Sequence, residues 1–241
     1  MNKLFPLIVL VFLAVACKKN SPAVIPPVTE PEFLDKNWSR IRIPDGGEVF
    51  AVAGNVDDTL LVTTLYNTYL VTDKGATFTK SKSIIPTIPG LLTVQDTIYA
   101  LTGNYYDAKF EKNYSGGSSY YTLDMGLSWN SSEGKDAGKV MRKGIVTTAN
   151  NVTYQLTYHT GPDKNGKGTN WVLPTEIIKV DPSGNRAAFT HPVKSEQPLN
   201  LYLDKEGRLY IPTGGSFSDA GVYVGPSALK PAYIYISKEA V

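Results

Sequence analysis

Cysteine is almost missing from this chain of 241 residues: Cys17 stands alone, so no internal disulfide is available. Histidine occurs twice, as His159 and His191, too far apart in sequence to suggest a zinc pair. There are five arginines, Arg40, Arg42, Arg142, Arg186 and Arg208. Charged residues make up only 19%, with a formal net charge of +2. No basic run is interleaved with aromatics, which argues against nucleic acid and against charge-driven binding to an acidic membrane surface. Gly-x-Ser-x-Gly, His-Glu-x-x-His and phosphate-loop patterns are absent, and no cofactor is implied. What is abundant is 42% apolar residues with Gly 21, Pro 16 and Tyr 15. That mixture suits one well-cored domain of many short strands joined by tight turns.

The long apolar run lies at the start. A short positive "MNK" precedes "LFPLIVLVFLAVA", about 13 residues, too short to span a bilayer and right for a signal-peptide core. It ends in "LAVAC", Leu13 to Cys17, which resembles the bacterial lipoprotein signal. The resemblance implies removal of residues 1–16 and lipidation of Cys17. The following "KKNSPAVIPPVTEPEF" is Pro-rich and reads as an extended tether over residues 17–36. "CKKN" with such a tether looks like lipoproteins of the Bacteroidetes. By that resemblance the expected location is the cell envelope, at the outer membrane, with the lipid as the membrane contact.

Residues 37–241 carry an internal repeat. One column of strands reads "DTLLVTT" (58–64), "DTIYALT" (96–102), "NVTYQLT" (151–157) and "GRLYIPT" (207–213). A second reads "YLVTDKG" (69–75), "YYTLDMG" (120–126), "IIKVDPSG" (177–184) and "YISKEAV" (235–241). Its acidic residues are Asp73, Asp124, Asp181 and Glu239, spaced by 51, 57 and 58. Four strand-rich units of this length predict an all-β fold, a small β-propeller of about four blades, each a four-stranded antiparallel sheet. The fourth unit stops after its third strand. "NWSRIRIP" (37–44) supplies the missing one, so the N-terminal strand is expected to close the ring. A piece of a larger propeller is the alternative. The expected oligomeric state is monomeric.

Within the second column, "TLDMGLSW" matches the Asp-box, or BNR repeat, Ser/Thr-x-Asp-x-Gly-x-Ser/Thr-Trp/Phe; "VTDKGATF" matches except at Val71. The chain thereby resembles Asp-box propellers, distantly the sialidase-like superfamily. The resemblance assigns structural roles to Asp73, Gly75, Thr77 and Phe78, and to Asp124, Gly126, Ser128 and Trp129. The Asp accepts hydrogen bonds from its own turn, the Gly supplies a conformation other residues resist, and the aromatic packs between sheets. The copies at Asp181 and Glu239 are degenerate in sequence.

Candidate binding residues come from loop lengths. The two columns are nine residues apart in unit one, from Thr64 to Asp73. They are 22, 24 and 26 apart in the next three, measured from Thr102, Thr157 and Thr213. Three insertions therefore share one face, opposite the Asp-box turns, and long loops on a rigid scaffold commonly carry binding. They contain Tyr105, Tyr106, Asp107 and Tyr114; His159, Asp163 and Trp171; and Phe217, Asp219 and Tyr223. Rings beside carboxylates and amides suit a sugar face or a peptide. The expectation is a noncatalytic binding or scaffold module for a glycan or an envelope protein, with no metal. Alternatives are a glycoside hydrolase, sialidase-like or other, and a purely structural envelope protein. "RIP" at Arg42–Pro44 is what favours the sialidase version, which requires Arg42 to face the central pocket beside further arginines.

Overall fold

A computed structural model describes residues 32–44, 47–81, 87–107, 112–136, 138–161, 171–225 and 231–241, without the side chains of Phe33 and Trp171. The signal segment, Cys17 and nearly all of the tether lie outside the described residues, as does Asp163.

The chain folds as a four-bladed β-propeller. Two strands precede the first blade, β1 (Glu32–Phe33) and β2 (Trp38–Arg42). Blade one is β3 (Val49–Gly54), β4 (Leu60–Thr64), β5 (Thr68–Thr72) and β6 (Thr77–Lys80). Blade two is β7 (Gly90–Val94), β8 (Thr97–Asp107), β9 (Lys112–Thr122) and β10 (Asn130–Ser131), with β11 (Val140–Arg142) added beside β9. Blade three is β12 (Ile145–Thr147), β13 (Thr153–Gly161), β14 (Trp171–Val180) and β15 (Arg186–Ala188). Blade four has a split inner strand, β16 (Glu196–Pro198) and β17 (Tyr202–Leu203), then β18 (Arg208–Ser216) and β19 (Tyr233–Ala240).

Strand β2 completes blade four. It pairs antiparallel with β19, Arg40 opposite Tyr235 and Ile41 opposite Ile234, so the ring closes as the repeat predicts. Arg40 Nε donates to Glu32 Oε2 at 2.8 Å, and its guanidinium lies 4.3 Å from the Tyr233 ring centre. Strand β1 is a further outer strand that the repeat does not reveal, and neither is β11.

The core sits between blades because each sheet is apolar on both faces. Ile41, Val52, Leu60, Tyr210 and Ile234 fill the space between blades four and one. Tyr154, Ile177, Leu209 and Ile211 fill that between three and four. Ala51, Leu61, Leu91 and Ala100 fill that between one and two, where small alanines let the sheets approach closely. Among the described residues no comparable buried cluster joins blades two and three.

Three of the four threonines that end the first repeat column bond a neighbouring strand or turn, while Thr157 Oγ1 is buried without a partner. Thr213 Oγ1 donates to the Tyr233 carbonyl at 2.9 Å, Thr102 Oγ1 to that of Gly117 at 3.0 Å, and Thr64 Oγ1 to that of Asn67 at 3.0 Å.

The turns on the opposite face share one geometry. Asp124 accepts from the Ser128 amide at 2.9 Å and the Ser128 hydroxyl at 2.6 Å, while Gly126 stands at φ +82°. Burial pushes the Asp124 carboxyl up, but the bonds from Ser128 and Thr122 outweigh it and hold the pKa below the usual carboxylate range. Asp73 receives the Thr77 hydroxyl in the same way. Asp181, degenerate in sequence, accepts from the Asn185 amide at 2.9 Å and side-chain amide at 2.8 Å. An amide thus replaces the hydroxyl four residues on. Asp204, outside the repeat column, makes the same pair of bonds to the Arg208 amide and guanidinium, at 2.9 and 2.8 Å.

Trp129 packs with Tyr120 and Met125 against the cluster between blades one and two. Phe78 meets Tyr69 edge-on at 5.9 Å, against the cluster between blades four and one.

Candidate functional site

The insertions of blades two and three are lengthened strands rather than loops. β8 and β9 run 11 residues each, β13 nine and β14 ten. Their extra length continues the ladder, so Tyr105, Tyr106 and Asp107 lie on β8, Tyr114 on β9, His159 on β13 and Trp171 at the start of β14. Length between repeat columns does not distinguish a loop from a longer hairpin, and that is why the sequence reading placed them in loops.

The pairing of these strands builds a platform. Tyr105 faces Tyr114 across β8 and β9, and Arg142 on β11 faces Tyr114 from the other side. Directly opposed residues share a sheet face, so Tyr105, Tyr114 and Arg142 form one row. The two rings stack with centroids 5.4 Å apart and planes 13° from parallel. Beneath them Gly103 faces Gly116 and then Val140. A Cβ on Gly116 would stand 3.3 Å from Tyr105 Cε1 and from the Lys139 carbonyl oxygen, so the absent side chain makes room for the ring. Tyr105 is 49% exposed and Val140 45%. The other face of the same strands is turned inward, where Ser115 is fully buried.

Tyr106 is exposed, opposite Asn113. Asp107 faces Lys112 at the end of the hairpin. On blade three, His159 Nε2 lies 3.3 Å from Glu176 Oε2, beside exposed Tyr158, Val172 and Leu173. On blade four, Phe217 is buried, with its ring 5.3 Å from that of Tyr223, so Phe217 supports Tyr223 from below. Asp219 is exposed in a turn. The structure thus joins Tyr105 with Tyr114, and Phe217 with Tyr223, and brings no single cluster together from all three insertions among the described residues.

Sequence reading does not single out Glu48 or Lys143. Glu48, just before β3, bridges to Gly214 of β18. Lys143 stands between β11 and β12, its amide bonded to the Asn113 carbonyl at 2.8 Å. Burial pushes the Glu48 carboxyl up and the Lys143 ammonium down, and the charge of each partly offsets the shift of the other. Burial also raises the Tyr223 hydroxyl, with the Glu48 charge adding to it. Glu48 and Lys143 look like ordinary flanking residues in sequence; the influence of each charge on the other arises only in the fold.

A cavity of about 580 Å³ opens on the flank, lined by Trp38, Arg40, His191, Lys194 and Tyr235 among others. His191 Nδ1 is buried there without a hydrogen-bond partner, and burial lowers its pKa.

The arginines do not converge. Arg42 is exposed on outer strand β2, and Arg40 of that strand is engaged with Glu32 of β1. Arg142 belongs to the platform, Arg186 is exposed on β15, and Arg208 is buried among the turns of the opposite face. The sialidase version therefore loses the central Arg42 it required. Among the described residues no group of three His, Cys, Asp or Glu side chains is placed to hold a metal ion, and no helix is long and apolar enough to cross a membrane.

No family model matches the sequence, and no curated protein matches it. Among solved structures, the chain is similar to a protein assigned as a gluconolactonase, at 10% identity and TM-score 0.31, covering 89% of this chain and 98% of that one. It is similar to a streptogramin B lyase at 14% identity and TM-score 0.24, covering 78% of this chain and 58% of that one. Virginiamycin B lyase from Staphylococcus aureus follows at 12% identity and TM-score 0.26, covering 78% and 73%. These are distant likenesses, and the four-bladed assignment rests on the strand pairing described above.

Proposed function

We propose that this propeller is a noncatalytic binding module of the cell envelope whose long-hairpin face takes a glycan. The observation that carries the reading is the stacked Tyr105–Tyr114 pair, held open to solvent on paired strands with Arg142 at its edge. Each stacked ring covers one face of the other, so the pair presents the outer face and edge of half-exposed Tyr105, held rigid by Tyr114, to the C–H face of a sugar at low entropic cost. Arg142 supplies hydrogen-bond donors beside it. The Asp-turns at Asp73 and Asp124 support reading the scaffold as an Asp-box propeller, with those carboxylates used up in their own turns. Cys17, by its signal context, carries the lipid that holds the module at the outer membrane through the Pro-rich tether.

A glycan array probed with the full chain tests the binding reading. Specific binding that is lost in Tyr105→Ala, with folding unchanged, supports it. A blank array from folded protein sends the search to a protein partner. Cys17→Ser tests the anchor: the variant should leave the membrane fraction.

A further inference from the structure

The strand that closes the ring also helps to form a cavity. The flank cavity of about 580 Å³ is walled on one side by the start of the domain, Leu34 to Arg40, and on another by the segment from Thr190 to Lys194 that leads into blade four. Packing holds these walls. Trp38 meets Phe189 edge-on at 6.3 Å, and Trp38, Val193 and Tyr235 belong to one buried cluster. Arg40 is held as well. Its Nε donates to Glu32 Oε2 at 2.8 Å, its Nη1 stands 3.5 Å from the Tyr235 hydroxyl, and its guanidinium lies over the Tyr233 ring at 4.3 Å. A guanidinium carries more N–H donors than these contacts use.

The carboxylates around this cavity are spent, and the unspent groups are donors. Asp35, the one carboxylate among the described residues lining it, accepts from the Asn37 and Trp38 amides at 2.7 and 2.9 Å. Glu32 is taken by Arg40, and Glu196 accepts from the Tyr235 hydroxyl at 3.0 Å. Lys194 lines the cavity and has no ion pair among the described residues. His191 lines it too, with Nδ1 buried and without a hydrogen-bond partner. An orphaned buried nitrogen costs stability, and a half-turn of the ring exchanges Nδ1 with Cδ2. Burial lowers the His191 pKa, so the ring is neutral at pH 7. A hydroxyl both donates and accepts, and so satisfies that nitrogen in either tautomer. Guanidinium donors beside a free ammonium call for a carboxylate. Leu34, Trp38 and Pro192 offer apolar wall for the body that joins the two groups, and the volume suits a small molecule. We propose that the flank cavity binds a hydroxylated carboxylate of monosaccharide size, a sugar acid, with its carboxylate on Arg40 and Lys194 and a hydroxyl on His191. This site uses none of the platform residues and stands independently of the glycan reading.

The test is calorimetric titration of the full chain with glucuronate, beside glucose, which lacks the carboxylate, and glucose 6-phosphate, which replaces it. Glucuronate is expected to bind about tenfold or more tightly than either. Lys194→Met, an exposed position, should remove that preference with folding unchanged. His191→Phe separates a structural role from a binding one. It keeps a ring and removes the orphaned nitrogen, so the variant is expected to be at least as resistant to urea as the parent, yet to bind glucuronate more weakly. Tyr105→Ala should leave the affinity intact. Equal binding of glucose and glucuronate overturns the proposal, and tighter binding of glucose 6-phosphate overturns the carboxylate assignment. So does an absence of glucuronate binding up to about 10 mM, or full affinity in both Lys194→Met and His191→Phe. Loss of binding in Tyr105→Ala would place the sugar acid on the platform and overturn it too.

Discussion

Asn200 holds Gly144 across the seam between blades four and three. The side-chain oxygen of Asn200, between the two halves of the inner strand of blade four, accepts from the Gly144 amide at 2.9 Å as the chain enters blade three. Its amide nitrogen donates to the Phe50 carbonyl of blade one at 3.0 Å. One buried side chain thus ties blades three, four and one. Asn200→Ala would take this partner from the buried Gly144 and Leu201 amides and from the Phe50 carbonyl. Each group left unpaired costs about 1–3 kcal/mol, so the urea midpoint should fall sharply. Asn200→Asp keeps the acceptor, loses the donor and buries a charge, and should do no better.

Ring closure rests on Ile41, buried against Ile234 and its neighbours. Ile41→Ala is expected to cost about 2–5 kcal/mol in chemical unfolding. Removal of residues 32–44 should abolish cooperative folding, because blade four would present an open edge.

Arg208 secures the opposite face. Its guanidinium reaches Asp204 at 2.8 Å, Asp57 at 2.6 Å and the Asn55 side chain at 2.5 Å. The Asp204 side chain has no solvent exposure. Arg208→Met would strand that carboxylate, and a loss of about 3–5 kcal/mol is expected by urea unfolding.

The Asp-turns predict acid sensitivity. Asp124 and Asp181 have lowered pKa values in the folded chain, Asp181 through the Asn185 side chain and amide first. A depressed carboxylate stabilises the fold above its unfolded pKa, about 3.9, and that contribution fades as pH falls through the folded value. Stability should therefore drop below about pH 4. Asp124→Asn should flatten part of that slope while lowering stability at pH 7, read from urea midpoints at both pH values.

The architecture was legible because it is repeated. Thr columns, acidic turns and a spare strand at 37–44 recur at intervals that only stacked sheets explain, and β2 does pair with β19. The third acidic turn is degenerate in sequence but not in geometry, since Asn185 performs there what serine does in the motif. The site was less legible. Tyr105 and Tyr114 could be named from composition, but their stacking depends on the register of β8 and β9, which no residue announces. Phe217 looked equivalent to Tyr223, yet burial separates them.

The most direct test of the central claim is a titration of the array-selected glycan into the parent chain, Tyr114→Phe and Tyr114→Ala. Stacking needs the ring and not the hydroxyl. The account predicts affinity within about threefold for the phenylalanine variant and a loss of at least tenfold for alanine, about 1.4 kcal/mol, with unfolding midpoints little changed. Unaltered affinity in Tyr114→Ala would place the glycan elsewhere and contradict the platform.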